Sequence, residues 1–177
     1  MEIQVYSSGL LTHRNRLYRC ALGRGGLKAN KREGDGATPI GQFFVRELLY
    51  RRDRIAIPTT GLVARVIQPD FGWSDDPADP AYNREVHRPH QYGHESLFRE
   101  DNLYDLIVPL GYNDNPPVTG LGSAIFLHVA RDGYAPTEGC VALAMVDLLR
   151  VLIDLKVGDS VVINSPETES YGHAHRK

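Results

Sequence analysis

Cys140 and His128 are the residues of this chain whose types and spacing suit covalent chemistry. The thiol lies in Thr137-Glu138-Gly139-Cys140-Val141, twelve residues after a histidine set in the strand-like run Ala124-Ile125-Phe126-Leu127-His128-Val129. A cysteine attacks as its thiolate. An imidazole within hydrogen-bond reach takes the thiol proton and later returns it to a leaving amine, so the pair points to acyl transfer. Gly139 lets a carbonyl substrate come close to the backbone, and the consecutive N–H groups of Gly139 and Cys140 are candidate donors to an oxyanion. Spacing alone also fits a buried thiol beside an unrelated histidine.

Positioning such a pair takes a framework, and short strand-like runs dominate the chain: Ile3–Tyr6, Arg16–Leu22, Gly41–Leu49, Val63–Ile67, Leu106–Leu110, Ser123–Ala130 and Val161–Asn164. Gly, Pro, Asn and Asp separate them, which predicts a mainly β fold, a sandwich or partly open barrel. One helix interrupts the pattern. Met145, Leu148, Leu149 and Leu152 recur at helical spacing, Asp147 lies in the first turn, and Lys156 with Gly158 marks the end, so a helix starting near Ala144 follows the Cys loop. Its positive end adds little to the thiolate, because the effect fades within a turn. Between Pro69 and Asn102 no regular element is predicted, and a connection that long is a lid, a binding loop or disordered. Trp73, Tyr82, Asn83 and Arg84 favour a binding loop over the site, offering an aromatic wall and a guanidinium to a carboxylate. The bland alternative is a loop that merely packs over the sheet.

Composition narrows the function. With 177 residues, 42% of them hydrophobic, one core of ordinary size is the default, so residues 1–165 read as one domain and 166–177 as a polar tail holding His173 and His175. A net charge of −2 gives no field for nucleic acid or an anionic membrane, and Arg51-Arg52-Asp53-Arg54 reads as a solvated strand end. No stretch approaches the roughly 20 apolar residues of a membrane span. Strand-like alternation begins at Glu2 with no signal-peptide pattern before it, so the expected location is cytoplasmic, or periplasmic if a leader has been removed. The two cysteines fit a reducing compartment. Cys20 reads as a small core residue, although a bond to Cys140, which would destroy the nucleophile, stays open. His87, His90 and His94 have spacings one helix could present together to zinc, but Pro89 breaks that helix and no acidic pair or Cys joins them, so no metal or cofactor is predicted.

The segment Lys31-Arg32-Glu33-Gly34-Asp35-Gly36-Ala37-Thr38-Pro39-Ile40-Gly41-Gln42-Phe43, taken with His128 and Thr137-Glu138-Gly139-Cys140-Val141-Ala142-Leu143, resembles the YkuD-type L,D-transpeptidase catalytic domain. The resemblance runs from about Ile3 to Ile163. The family's Thr-Pro-x-Gly-x-Phe turn is matched, whereas its Ser-His-Gly-Cys-x-Arg stretch has Glu138 for the His and Ala142 for the Arg. It implies attack by Cys140 on the L,D bond before the terminal D-Ala of a peptidoglycan stem tetrapeptide. Water as acceptor makes the enzyme an L,D-carboxypeptidase, and an amine makes it a transpeptidase. With a cytoplasmic location, trimming of recovered muropeptides comes first. A muropeptide-binding protein without turnover is a further alternative. Substrate contacts are expected from Arg84 and Arg131 to a carboxylate, with Tyr82, Asn83, Trp73, Thr137 and Glu138 around them. Glu138 itself reads either as a contact to an ammonium group or as a surface carboxylate turned away from the sulfur. Oligomeric state is not encoded in any motif.

Overall fold

The computed structural model describes residues 1–165, so the tail of 166–177 with His173 and His175 lies outside the described residues. The strands are β1 (Glu2–Tyr6), β2 (Leu10–His13), β3 (Arg16–Ala21), β4 (Leu27–Lys28), β5 (Thr38–Pro39), β6 (Gly41–Phe44), β7 (Leu48–Tyr50), β8 (Ala64–Val66), β9 (Phe71–Ser74), β10 (Glu85–His87), β11 (His94–Ser96), β12 (Leu106–Pro109), β13 (Phe126–Val129), β14 (Val141–Leu143) and β15 (Ser160–Ile163). Ten of them form one mixed sheet in the order β6-β15-β1-β2-β3-β14-β13-β12-β7-β8.

The sheet curls because one segment serves both of its halves. Sequence predicts a single strand over Gly41–Leu49, but the chain makes two: β6 pairs with β15 and β7 with β12. Between them Val45 donates its N–H to the Asp159 carbonyl and bridges Leu110, so the run leaves one edge of the sheet and joins its other half. The outcome is the partly open barrel predicted from the strand spacing.

Strand periodicity then divides the apolar residues between two cores. Leu48, Tyr50, Leu106, Val108, Leu127 and Val129 point inward to the main core with Ile3, Val5, Leu11 and Val161. Leu49, Ile107 and Phe126, one step out of phase, point outward to a second core with Phe71, Leu97, Leu103, Tyr104 and Cys140. Since both faces of β7, β12 and β13 are covered, these strands read as apolar runs, interrupted in β13 by His128 alone. The helix α1 (Met145–Asp154) starts where predicted and buries Leu148, Val151 and Leu152 against the main core. Leu149 is 36% exposed, so the buried stripe lies on the Val151 side of the predicted one.

The 69–102 segment is more ordered than its sequence predicts. It contains β9, β10 and β11, which form a separate sheet in the order β10-β9-β11. Each is only three or four residues long and pairs across Pro-, Asp- and Asn-rich turns, so no local alternation announces it. The predicted runs also leave out β2, β4, β5 and β14. No helix among the described residues is long and apolar enough to cross a membrane.

Candidate active site

Parallel pairing of β13 with β14 brings the thiol to the histidine. Leu127 pairs with Val141 and His128 with Ala142, so Cys140, one residue before β14, lies beside Phe126. Period-two geometry puts the side chains of Phe126, His128, Cys140 and Ala142 on one face. Phe126 N–H donates to Cys140 Sγ at 3.4 Å, and the resting thiol donates to the Ala124 carbonyl at 3.2 Å. His128 Nδ1 is 2.8 Å from the Val129 carbonyl, a contact that needs the proton on Nδ1 and leaves Nε2 unprotonated in the neutral ring. Cys140 and His128 line the same cavity.

Both groups are uncharged at rest. Burial pushes the Cys140 thiol up to about 12; the nearby Glu95 carboxylate adds to the rise, while the Phe126 N–H and Lys31 oppose it. Burial lowers His128 to about 4, aided by Arg99 and Arg131 and opposed by the Val129 hydrogen bond and Asp101. Burial thus disfavours a thiolate–imidazolium pair in the resting site. Cys20 is also buried and raised to about 12, and both cysteines are free thiols.

The two motif segments meet at Gly139. Its φ is 137°, and a Cβ there would lie 2.8 Å from the Ala37 carbonyl, so close approach to the Gly-rich segment demands glycine. Thr137 clamps the Cys turn, since its Oγ1 accepts from Gly139 N–H at 3.1 Å and donates to the Cys140 carbonyl at 2.7 Å. That engagement corrects the expected oxyanion pair: the Gly139 N–H is taken by Thr137 at rest, which leaves the Cys140 N–H as the donor to consider. Glu138 lies on the cavity rim, exposed and paired through both oxygens with Arg24 Nε at 3.0 and 2.8 Å. Ala142 is fully buried.

Of the two arginines expected to hold a carboxylate, Arg131 lines the Cys140 cavity, is exposed and makes no ion pair among the described residues. Arg84 does not line that cavity; with Trp73 and Asn83 it borders a separate one that includes Ile125 and Phe126. Tyr82 and Asn83 are tied into the framework instead of facing substrate. Tyr82 Oη donates to Glu33 at 2.5 Å and accepts from Gly122 N–H at 2.9 Å. Asn83, 4% exposed, accepts through Oδ1 from Trp73 Nε1 and from Ala124 N–H, and donates through Nδ2 to the carbonyls of Tyr112 and Asn113. Ala124 has φ 53°, a left-handed conformation costly for alanine, and its carbonyl receives the Cys140 thiol. Asn83 thus holds the strained residue that receives the Cys140 thiol.

Sequence reasoning missed the residues that the 69–102 segment does deliver: Asp75, Glu95 and Arg99, joined by Tyr104. The Tyr104 ring stands nearly perpendicular to His128 with centroids 5.3 Å apart, and its hydroxyl donates to Glu95 at 2.6 Å. Burial raises both Glu95 and Asp75 above the usual carboxylate range. Glu33, held by Tyr82 and by Ser123 Oγ at 2.7 Å, supplies a third carboxylate to the wall. These residues carry no local signature, because register and folding of distant segments bring them together. His87, His90 and His94 go to separate partners, Asp70, Asp79 and the Tyr92 carbonyl, and no group of metal-binding side chains occurs among the described residues.

No curated protein matches this sequence. Among solved structures, an L,D-transpeptidase from Mycobacterium smegmatis is similar at 13% identity with a TM-score of 0.43, over 93% of this chain and 58% of that one. The chain spans little more than half the length of that relative. Residues 4–163 match the L,D-transpeptidase catalytic domain called YkuD, a span that includes the Gly-rich segment, His128, Cys140 and the closing strand β15. The chain therefore belongs to the YkuD family of L,D-transpeptidase catalytic domains.

Proposed function

We propose that this domain is a cysteine acyl-transfer enzyme of peptidoglycan stem peptides, acting as an L,D-carboxypeptidase that removes the terminal D-Ala of a tetrapeptide. The observation that carries this reading is a thiol and an unprotonated Nε2 on adjacent strands, facing one cavity walled by Asp75, Glu95 and Arg99. As the substrate carbonyl enters, the thiol leaves the Ala124 carbonyl and gives its proton to His128 Nε2 while sulfur bonds the carbonyl carbon. The Cys140 N–H stabilises the oxyanion. Collapse breaks the C–N bond, His128 returns the proton to the departing amine of D-Ala, and a thioester remains. Neutral His128 then takes a proton from water as its oxygen bonds the thioester carbon, collapse breaks the C–S bond, and His128 returns the proton to sulfur, which restores the Cys140 thiol and frees the tripeptide acid.

Charge in the cavity suits a stem peptide, which bears both ammonium and carboxylate groups. Arg131 is available to a carboxylate, and Glu33, Asp75 and Glu95 to an ammonium. A small soluble muropeptide fits a walled cavity better than a polymer does, which supports a role in recycling within the cytoplasm; cell fractionation tests that location. A second reading, transpeptidation, is favoured by the neighbouring cavity of Trp73, Arg84 and Glu85, which could seat an acceptor peptide across Phe126. Mass spectrometry after incubation of a tetrapeptide muropeptide with an excess of a D-amino acid separates the two. Tripeptide as the main product supports the carboxypeptidase, and exchanged tetrapeptide or a dimer makes transpeptidation the correct name.

A further inference from the structure

Among the described residues, one hydrogen bond fixes the His128 ring, from Nδ1 to the carbonyl of Val129 next to it. An imidazole turning about its last side-chain bond has two broad wells, and a half-turn puts carbon where Nε2 stands. A base that takes the Cys140 proton needs one of those wells held. Tyr104 stands against the ring. Its own ring lies 5.3 Å from that of His128 at 82°, and 6.0 Å from that of Phe126 at 79°. It thus fills the corner between the two side chains that β13 turns to the site. The rings meet edge to face with no hydrogen bond between them, so the contact acts on the orientation of the imidazole and takes no part in proton transfer.

Tyr104 is itself held from two sides. Its backbone belongs to a clamped segment: Arg51 Nη1 donates to the Arg99 carbonyl at 2.6 Å, Arg54 donates to the carbonyls of Glu100 and Asp101 at 2.7 and 2.5 Å, and Arg54 pairs with Asp105 at 3.0 Å. The run Arg51-Arg52-Asp53-Arg54, expected to be a solvated strand end, therefore contains a buried clamp, with the Arg51 guanidinium 3.5 Å from the Phe98 ring centre. Val129 N–H donates to the Leu103 carbonyl at 3.1 Å, which ties this segment to the strand of the base. The hydroxyl supplies the other hold. Tyr104 Oη donates to Glu95 at 2.6 Å, and burial with the Glu95 charge keeps the phenol protonated and so a donor. Glu95 is placed by β11, where it pairs with Trp73 of β9. We infer that Tyr104, anchored by Glu95, is a positioning residue that holds the His128 ring with Nε2 turned toward Cys140. Its effect on turnover rests on the acyl-transfer reading, and its effect on the ring does not.

Two measurements on the whole chain test it. The ring nitrogen resonances of His128, recorded without substrate, show which nitrogen carries the proton: Nδ1–H alone in the unaltered protein, and both tautomers in Tyr104→Phe. Turnover is read as D-Ala release from a stem tetrapeptide. Tyr104→Phe keeps the ring and loses its anchor, so kcat should fall about tenfold with KM within about twofold and cooperative unfolding retained. Glu95→Leu should lower kcat by a similar factor, and Glu95→Gln, whose amide oxygen still accepts from the hydroxyl, should recover most of that loss. The double variant Tyr104→Phe/Glu95→Leu should be no slower than either single one, because the two residues act as one support. A single Nδ1–H tautomer in Tyr104→Phe, an unchanged kcat in that variant, Glu95→Gln as slow as Glu95→Leu, or losses that multiply in the double variant would each overturn the inference. If the unaltered protein releases no D-Ala, the acyl-transfer reading fails and the tautomer result decides the positioning by itself.

Discussion

Acidification separates a neutral thiol–imidazole pair from a preformed ion pair. Burial holds His128 near 4, against 6.5 for a free imidazole. At pH 5.5 about 97% of sites then keep the unprotonated base, whereas an unshifted histidine would keep about 9%. With Cys140 near 12, the thiolate fraction at pH 7 is on the order of 10⁻⁵, so the base must be neutral when substrate arrives. The assay is kcat/KM for D-Ala release from a tetrapeptide from about pH 3 to pH 8.5, which reports groups of the free enzyme. The rate should stay level down to about pH 5 and fall with an apparent pKa near 4. Stability shifts in the same window. Because the folded value lies below the unfolded one, the unfolded chain takes the proton first; the contribution is complete above pH 6.5 and lost as pH falls toward 4, a change on the order of 3 kcal/mol. His13, also lowered by burial, moves stability in the same direction. Circular dichroism at each pH keeps unfolding apart from titration. A halving of kcat/KM near pH 6.5 in protein that is still folded would refute the neutral pair.

Four further outcomes follow from the same geometry. Cys140→Ala should abolish D-Ala release while the melting temperature changes little, and His128→Ala should slow release by at least about 10²-fold; measurable turnover in the Cys variant overturns the nucleophile assignment. Gly139→Ala should lower the melting temperature by several degrees, since φ 137° and the Ala37 carbonyl at 2.8 Å both exclude a Cβ; an unchanged unfolding curve contradicts the close approach. Asn83→Ala, by leaving buried donors and acceptors unpaired, should cost about 1–3 kcal/mol in denaturant unfolding and reduce kcat more than it raises KM. Arg131→Lys should raise KM for a stem peptide and Arg84→Lys leave it unchanged under hydrolysis; the reverse pattern would move substrate binding to the Trp73 cavity.

Local chemistry made part of this protein legible in its sequence. The helix over Met145–Asp154 repeats its apolar residues along a stripe, and the runs around Ile107 and Leu127 are long enough to declare buried strands. Gly139 next to Cys140, with His128 upstream, needed only residue type and spacing to suggest an acyl-transfer pair, and the family match supports that resemblance. The rest depended on contacts between distant segments. Tertiary structure alone set Arg131 in the Cys140 cavity and Arg84 in another, spent Tyr82 and Asn83 on the framework, and brought Glu95 and Tyr104 beside His128. Three- and four-residue strands carry too little alternation to be read alone, and each owes its position to partners tens of residues away. The protonation of the pair depends on the same kind of contact. Its charge state follows from desolvation beneath the segment over the sheet, a property of burial that no spacing of residues expresses.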